Sequence, residues 1–336
     1  MKIANKKNRG AKIKRNLLPY YYLVPACLIM GIITFYPLIY QVIISFTSFE
    51  TKDLLLGLNS PTLKFIGLKN YIDIFTGALP VENFNFFRVL EFNFWWALSN
   101  VFLHVPAGVL IAVMLNTEGL WLKKLYRALY ILPVVVPPIV VATVWRNIFD
   151  EQYGAMNQLL TFVSTLFGHL DPIHLRWLTE YTPPIPGFLP GAPLTLAYYA
   201  MMIANFWLGW PLMSVIATGA LQSIPRDLYE AAAIDGATGF QQFRNITIPL
   251  LTPAMMPAAV YGFTITFNLF GLVFFMTGGG PARSTELLVT FAYNLVRNLR
   301  WFGVAAAFAV IIFFVALVVL LITNRITRAT QSYSEA

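Results

Sequence analysis

The sequence predicts an all-α integral membrane protein with six transmembrane helices, and this prediction rests on its composition and on the spacing of its charges. Of the 336 residues, 58% are hydrophobic and 11% are charged, whereas a typical soluble domain carries about 25% charged residues. The mean hydropathy of +0.66 argues against a soluble enzyme and against a disordered chain. The apolar–polar alternation of a membrane β-barrel is missing.

Long windows without Lys, Arg, Asp or Glu locate the helices, because a transmembrane helix needs about 20 predominantly apolar residues. In chain order we expect helices at about 20–46, 94–116, 127–148, 195–219, 254–276 and 303–324. The third is the least clean, because its charge-free part is short and ends at Arg146. A further window, 152–170, is rich in Gln, Asn, Ser and Thr. It predicts an amphipathic surface helix, with a seventh span as the alternative.

The ionisable residues predict the orientation of the helices. Residues 1–16 hold seven Lys and Arg and no acid. We interpret them as a cytoplasmic tail before a retained first helix, since the apolar stretch that follows is too long for a signal peptide and contains Pro25 and Pro37. The predicted cytoplasmic segments hold 14 Lys and Arg residues and five acidic residues. The predicted outer segments hold nine Lys and Arg residues and ten acidic residues. Both termini are therefore expected in the cytoplasm, and the net charge of +8 needs no nucleic-acid partner.

The predicted cytoplasmic loop between the fourth and fifth helices, residues 221–253, has a recognisable local pattern. Pro225 can open a helix, and the acidic Glu230 in its first turns is favourable against the helix dipole. Gly236 and Gly239 are expected to stop or turn this helix. A second short helix, GFQQFRNI, follows before Pro249 and Pro253. We expect two short helices lying at the membrane face.

This loop resembles the EAA motif of binding-protein-dependent ABC importers, E-A-A-x3-G-x9-I-x-L-P. The matching residues are Glu230-Ala231-Ala232, Gly236 and Ile246-x-Ile248-Pro249, with Asp235 typical before the glycine. The spacing fits at every position, and Ile248 replaces the usual Leu. An interfacial helix with no partner is the alternative interpretation.

Most of the chain, roughly residues 18–330, resembles the oligosaccharide group of these importers, specifically its maltose-type first permease subunit. The similar segments are Tyr22–Ala26, Tyr36-Pro37, Phe65–Tyr71, Leu132-Pro133, Pro137-Pro138, Trp145, Phe149-Asp150, Thr277–Pro281 and Thr285–Val289. The resemblance implies a type I importer fold. Its parts would be a basic tail (1–16), a permease domain (17–330, coupling loop 221–253) and a second cytoplasmic tail (331–336).

The resemblance also implies the partners. A second homologous permease would complete the path, two copies of an ABC ATPase would bind beneath it, and a solute-binding protein would dock outside, in the plasma (inner) membrane of a bacterium or archaeon. The residues that would couple to the ATPase are Glu230, Ala231, Ala232, Asp235, Gly236, Ile246 and Pro249. The chain contains no G-x-x-x-x-G-K-[ST] sequence, so ATP and Mg are expected on the partner and no cofactor or metal on this chain.

Polar and aromatic residues in the fourth and fifth helices are candidates for the solute path, because sugar hydroxyls need hydrogen-bond partners. Asn205 and Gly209 share a helix face, and a buried Asn is unfavourable unless hydrogen-bonded. By resemblance the candidate path residues are Asn205, Gly209, Gly262, Thr266 and Asn268, and the aromatic ring of Trp210 in the fourth helix adds a sixth candidate. Packing through small and polar residues is the alternative. Val134 and Pro138 depart from polar residues of maltose-type relatives, which weakens any assignment of maltose itself.

Four functional interpretations of the sequence can be compared. The favoured one is a membrane subunit of an ATP-driven importer for an oligosaccharide or other sugar. The same machinery for a glycerol-phosphate-type solute is the first alternative, although the fourth and fifth helices hold no basic group. An embedded enzyme lacks a catalytic constellation, and an ion-coupled transporter would be expected to carry intramembrane acids and inverted repeats. For His104, within the second helix, an interhelical hydrogen bond is favoured over a proton relay.

Overall fold

The computed structural model describes residues 21–117, 119–169, 171–185 and 194–327. The described chain is helical, and its only β-type pairing is an isolated bridge between Thr47 and Phe65. The predicted tails, 1–16 and 331–336, and part of the less typical segment near 169–193 lie outside the described residues.

The helices follow the predicted order along the chain. They are α1 (Tyr21–Ser45), α2 (Lys69–Thr76), α3 (Phe86–Asn116), α4 (Lys123–Val135), α5 (Pro138–Ile148), α6 (Ala155–Leu166), α7 (Leu196–Gln222), α8 (Asp227–Ile234), α9 (Gly239–Gln242), α10 (Ile248–Phe267), α11 (Phe270–Met276), α12 (Leu288–Asn294) and α13 (Phe302–Thr327).

Five stretches of the described chain are long and apolar enough to cross a membrane, and a bent pair makes a sixth. The bent pair is α4 and α5, which meet at 96°. The predicted helix over about 127–148 is therefore broken into two helices, which together count as one span. Val136 is extended before Pro137 (φ −75°, ψ 127°), because a residue that precedes proline is pushed out of the α region and proline has no N–H to continue the ladder.

Two further expectations change in detail. The second helix begins at Phe86, eight residues before its predicted start, with Asn85 capping it through a bond from the Arg88 N–H. The 152–170 window contains the predicted helix as α6, with 12 residues. Such a helix is about 18 Å long, too short for a hydrocarbon core of about 30 Å, so a seventh span is excluded.

The chain divides into two compact units, of which the first holds the described parts of Met1–Ile72 together with Leu295–Val310. Its contacts centre on the end of α1. The Asn70 amide donates to the carbonyls of Ser45 and Thr47 at 2.8 and 3.0 Å. Gly303 packs against the same strand of backbone, where a Cβ would lie 2.4 Å from the Thr47 oxygen.

The second unit holds Asp73–Asn294 and the described part of Ile311–Ala336. Its core is the packing of α3 against α7 and α10, with small residues at the closest approaches. A Cβ on Gly108 of α3 would lie 2.4 Å from the Met213 Cβ of α7. Such glycines let helix backbones approach closely, which drives helix association where lipid removes the hydrophobic gain.

The predicted fifth span is broken, and side chains of α3 satisfy the break. The span leaves helical geometry at Asn268 and Leu269. Asn93 Nδ2 donates to the Phe267 carbonyl at 2.9 Å, and Trp96 Nε1 donates to the Thr266 carbonyl at 3.1 Å. The Asn93 Oδ1 accepts the Leu288 N–H at 2.8 Å. Since unpaired backbone groups are costly inside a bilayer, these donors make the break tenable.

We predict that Asn93→Ala destabilises the protein. The substitution leaves the Phe267 carbonyl and the Leu288 N–H without this buried partner, at about 1–3 kcal/mol for each group. The measurement is the temperature at which the detergent-solubilised protein loses its monodisperse chromatographic peak. Asn116→Ala, at the end of the same helix, is the control and should change this temperature little. Equal stability of the two variants would contradict the role given to Asn93.

Candidate functional site

The first helix of the loop between α7 and α10 ends as the sequence predicts. α8 begins two residues after Pro225, with Asp227 and Glu230 in its first turn. Gly236 has a φ of +83°, and its N–H donates to the Ala233 carbonyl at 3.1 Å. A side chain at that φ is strained, so glycine is the residue that closes the helix without cost.

The second helix of the loop continues into the membrane. Thr238 caps α9 in a reciprocal arrangement with Gln241: the Thr238 N–H donates to Gln241 Oε1 at 2.7 Å, and the Gln241 N–H donates to Thr238 Oγ1 at 3.4 Å. Gly239 is therefore the first residue of α9 and does not stop α8. A π-helical turn, Phe243–Thr247, joins α9 directly to α10. Any displacement of α9 thus acts on α10 through unbroken helix.

Much of the surface of this loop is exposed on the side that faces away from the helix bundle. Glu230, Ala231, Asp235, Gly236 and Pro249 are exposed, whereas Ala232 and Ile246 are half-buried. The loop also exposes two large apolar side chains, Ile234 at 87% and Phe240 at 71%. Small residues beside exposed apolar ones form a surface that another protein can approach closely.

The side of the loop that faces the helix bundle is bonded to it and packed against it. The Tyr229 hydroxyl lies 3.0 Å from Thr247 Oγ1, so α8 is tied to the turn that begins α10. Tyr229 also packs against the apolar cluster formed by α3, α7 and α10. A polar cleft of about 720 Å³ borders α8, and its lining includes Lys123, Arg226 and Glu230.

The candidate path residues fall into two groups. Asn205, Gly209, Gly262 and Thr266 are buried within this chain or packed closely against it. Asn205 Nδ2 donates to Asn100 Oδ1 at 2.8 Å, which joins α7 to α3. A Cβ on Gly262 would lie 2.7 Å from the Met213 Cε. In this conformation these residues serve the packing of the chain, and their contact with solute stays a prediction.

The second group is accessible. Asn268 is exposed, and its Nδ2 donates to the Thr264 carbonyl at 3.0 Å within the same helix. Thr264 and Tyr261 are exposed on the same face of α10. Trp210 is half-buried and lines, with Trp207 and Tyr130, a largely apolar groove of about 540 Å³.

His104 is buried against Gly209. A Cβ on Gly209 would lie 2.1 Å from the His104 Cε1. His104 Nε2 has no hydrogen-bond partner among the described residues, and the favoured interhelical bond of His104 stays a prediction. The sequence pattern did not predict the roles of Asn93, Trp96 and Asn100. The presence of a polar side chain in a span does not indicate which group of another helix it bonds to.

The comparisons with known proteins agree with this arrangement. Residues 104–331 match the family described as the binding-protein-dependent transport system inner membrane component. The chain belongs to this family. Residues 104–331 are about two thirds of the chain and include the loop of α8 and α9. The chain is thus a multi-pass inner-membrane permease, the non-catalytic component of an ABC importer whose ATPase is a separate subunit.

Curated relatives cover most of the chain. It is 32% identical over 327 residues to the galactooligosaccharides transport system permease protein GanP of Bacillus subtilis (94% of this chain, 71% of the relative). It is 30% identical over 329 residues to the maltodextrin transport system permease protein MalC of Streptococcus pneumoniae (92% and 72%). It is 33% identical over 273 residues to the maltose/maltodextrin permease MalF of Escherichia coli (78% and 49%).

Solved structures show the same fold. A chain of a bacterial ABC transporter for import of the acidic polysaccharide alginate superposes with a TM-score of 0.73 at 21% identity, over 97% of this permease and 100% of that chain. At this identity the similarity establishes the fold alone.

We predict that Gly209→Ala destabilises the permease by about 1–3 kcal/mol, since the added Cβ overlaps the buried His104 ring. Gly219→Ala on the same helix is the matched control, because nothing lies within 4 Å of its added Cβ. Thermal unfolding of both variants distinguishes them. If Gly209→Ala unfolds like the control while uptake falls, residue 209 faces an open solute path instead of His104.

Proposed function

We propose that this permease forms half of the translocation path of an ATP-driven importer for a neutral oligosaccharide. The observation that carries the proposal is the exposed loop of α8 and α9 that runs unbroken into α10. A separate motor protein can press on such a loop, and the force reaches a transmembrane span without crossing a flexible link.

The substrate class is supported by the relatives and by the charge of the spans. The named relatives transport galactooligosaccharides, maltodextrin or maltose. α7 and α10 contain no Lys, Arg, Asp or Glu. A phosphate ester would favour a basic partner in a low-dielectric site, so the absence of one in these spans favours a neutral sugar over a glycerol-phosphate-type solute.

The partners that fit this role are a second homologous permease, two copies of an ABC ATPase and an extracytoplasmic solute-binding protein. ATP and Mg would be used by the ATPase. The loop of α8 and α9 would face the cytoplasm together with both termini, consistent with the 14 Lys and Arg on the predicted inner side.

Coupling would proceed as a two-state change of position. Glu230 lies exposed on α8, where it would pair with a basic residue of the ATPase. Movement of α8 would reach Thr247 through the Tyr229 hydroxyl, and movement of α9 would reach α10 through the π turn. Both routes converge on the start of one span, whose far end is the break at Asn268.

The exposed face of α10 is the part of this chain best suited to line the path. Asn268 and Thr264 offer polar groups and Tyr261 offers an aromatic ring on that face, which suits sugar hydroxyls and sugar rings. The buried group that includes Asn205 would hold the neighbouring helices in place.

Glu230→Lys tests the coupling proposal. We expect ATP-driven uptake to fall by about tenfold or more, since a like charge replaces one partner of an interfacial ion pair. Asp227→Lys makes the same charge change in the same helix turn and is the matched control, expected to retain most activity. The measurement is uptake by proteoliposomes that contain the assembled complex. Wild-type uptake by Glu230→Lys would contradict the assignment.

Asn268→Ala tests the path proposal. Because Asn268 is exposed and bonds only within its own helix in the described contacts, its removal should leave thermal stability unchanged and raise the KM for sugar uptake several-fold. Thr252→Ala, an exposed residue of the same helix that also bonds to its own backbone, is the control. Labelled maltodextrin and galactooligosaccharide serve as probes. An unchanged KM for whichever sugar is transported would remove Asn268 from the path.

A further inference from the structure

The loop that follows α1 presents a cluster of leucines on its surface. We name Leu54, Leu55, Leu56, Gly57 and Leu58 the leucine loop. Its four leucines expose 51%, 98%, 57% and 41% of their surface. No charged residue occurs between Asp53 and Lys64. A contiguous apolar tip of this kind marks an interaction surface.

The backbone at the two ends of the leucine loop is held by turns. Two 3₁₀ turns, Thr51–Asp53 and Gly57–Asn59, flank its centre. The Leu54 N–H donates to the Thr51 carbonyl at 3.2 Å, and the Ser60 N–H donates to the Gly57 carbonyl at 3.2 Å. These bonds give the ends of the loop a defined shape.

Two hydroxyl side chains that follow the leucine loop bond to Asp53, which precedes it. The buried Asp53 carboxylate accepts hydrogen bonds from Ser60 Oγ at 2.5 Å, from the Thr62 hydroxyl and from the Glu50 N–H at 3.0 Å. The hydrogen bonds from Ser60 and Thr62 lower the pKa of this carboxyl, so it is ionised at neutral pH. These bonds fasten the two ends of the loop to each other, while its leucines stay exposed.

The leucine loop lies beside the last turns of α1. Gly57, at a φ of +57°, is next to Tyr40, since a Cβ on Gly57 would come within 3.4 Å of the Tyr40 hydroxyl. Tyr40 lies five residues before the end of α1 at Ser45, a distance of about 7.5 Å along a helix. The exposed leucines are therefore close to the end of a membrane span.

We propose that the leucine loop inserts into the adjacent leaflet of the bilayer and anchors the end of α1 among lipid acyl chains. In the most apolar 18-residue part of α1, 6% of the residues are buried by the rest of the described chain, so most of this helix is open to contacts from outside the chain. An uncharged, prefolded leucine tip at the headgroup boundary supplies such a contact. The Asp53 hydrogen bonds hold the tip in shape for insertion.

Site-directed fluorescence in nanodiscs tests the anchor. Cys27 is the only cysteine of this chain, so Leu55→Cys in a Cys27→Ser background gives the permease a single labelling site, and the permease is labelled before the transporter is assembled. An environment-sensitive label at position 55 should be quenched at least about twofold more by doxyl-labelled lipid than by aqueous iodide. The matched control is Lys64→Cys, an exposed residue of the same loop, where iodide should quench more strongly.

Three outcomes would overturn the proposal. Equal quenching of both labels by iodide would place the leucine loop in water. Protection from both quenchers would mean that a protein subunit covers the tip, and protection that arises only on addition of the solute-binding protein would make the loop a docking surface. As a second variant, Asp53→Ala in the labelled protein should increase iodide quenching at position 55, because it removes the hydrogen bonds that shape the loop.

Discussion

The structure depends on one constraint, which is that the break in its fifth membrane helix needs hydrogen-bond partners from a neighbouring helix. The break between α10 and α11 meets this constraint through Asn93 and Trp96 of α3. The same Asn93 also accepts a hydrogen bond from the Leu288 N–H. One side chain of α3 therefore holds the end of α10 at Phe267 and the start of α12 at Leu288. The break can therefore be a fixed feature of the span, with Asn268 held at its edge.

This arrangement connects the two ends of α10. At one end the π turn and Tyr229 join the span to the loop of α8 and α9. At the other end α3 holds the break, while α7 is held to α3 by Asn205 and by the close packing of Gly209 on His104. A push on the loop therefore acts on a span whose far end is fastened, which favours a switch between two packed arrangements over gradual bending.

Much of the fold could be predicted from the sequence, because gaps in the charges report membrane spans directly. The pattern of proline, alanines and glycines in the loop also predicted two short helices and a turn at Gly236, where a positive φ demands glycine. The predicted third helix is broken, since Pro137-Pro138 outweighed its apolar composition. The Asn93 and Trp96 contacts could not be predicted, because they join residues more than 150 positions apart and depend on how α3 packs.

The scarcity of charged residues indicates a membrane protein, and it also bears on how the permease obtains energy for transport. The predicted spans hold almost no ionisable groups for ion coupling or chemistry, which is consistent with the proposed entry of the driving force through the exposed loop. The most direct test is sugar uptake by proteoliposomes that hold the complete complex with its solute-binding protein. Uptake should require ATP and the separate ATPase subunit and should persist when proton and sodium gradients are collapsed. Uptake that continues without ATP and follows an ion gradient would contradict the account.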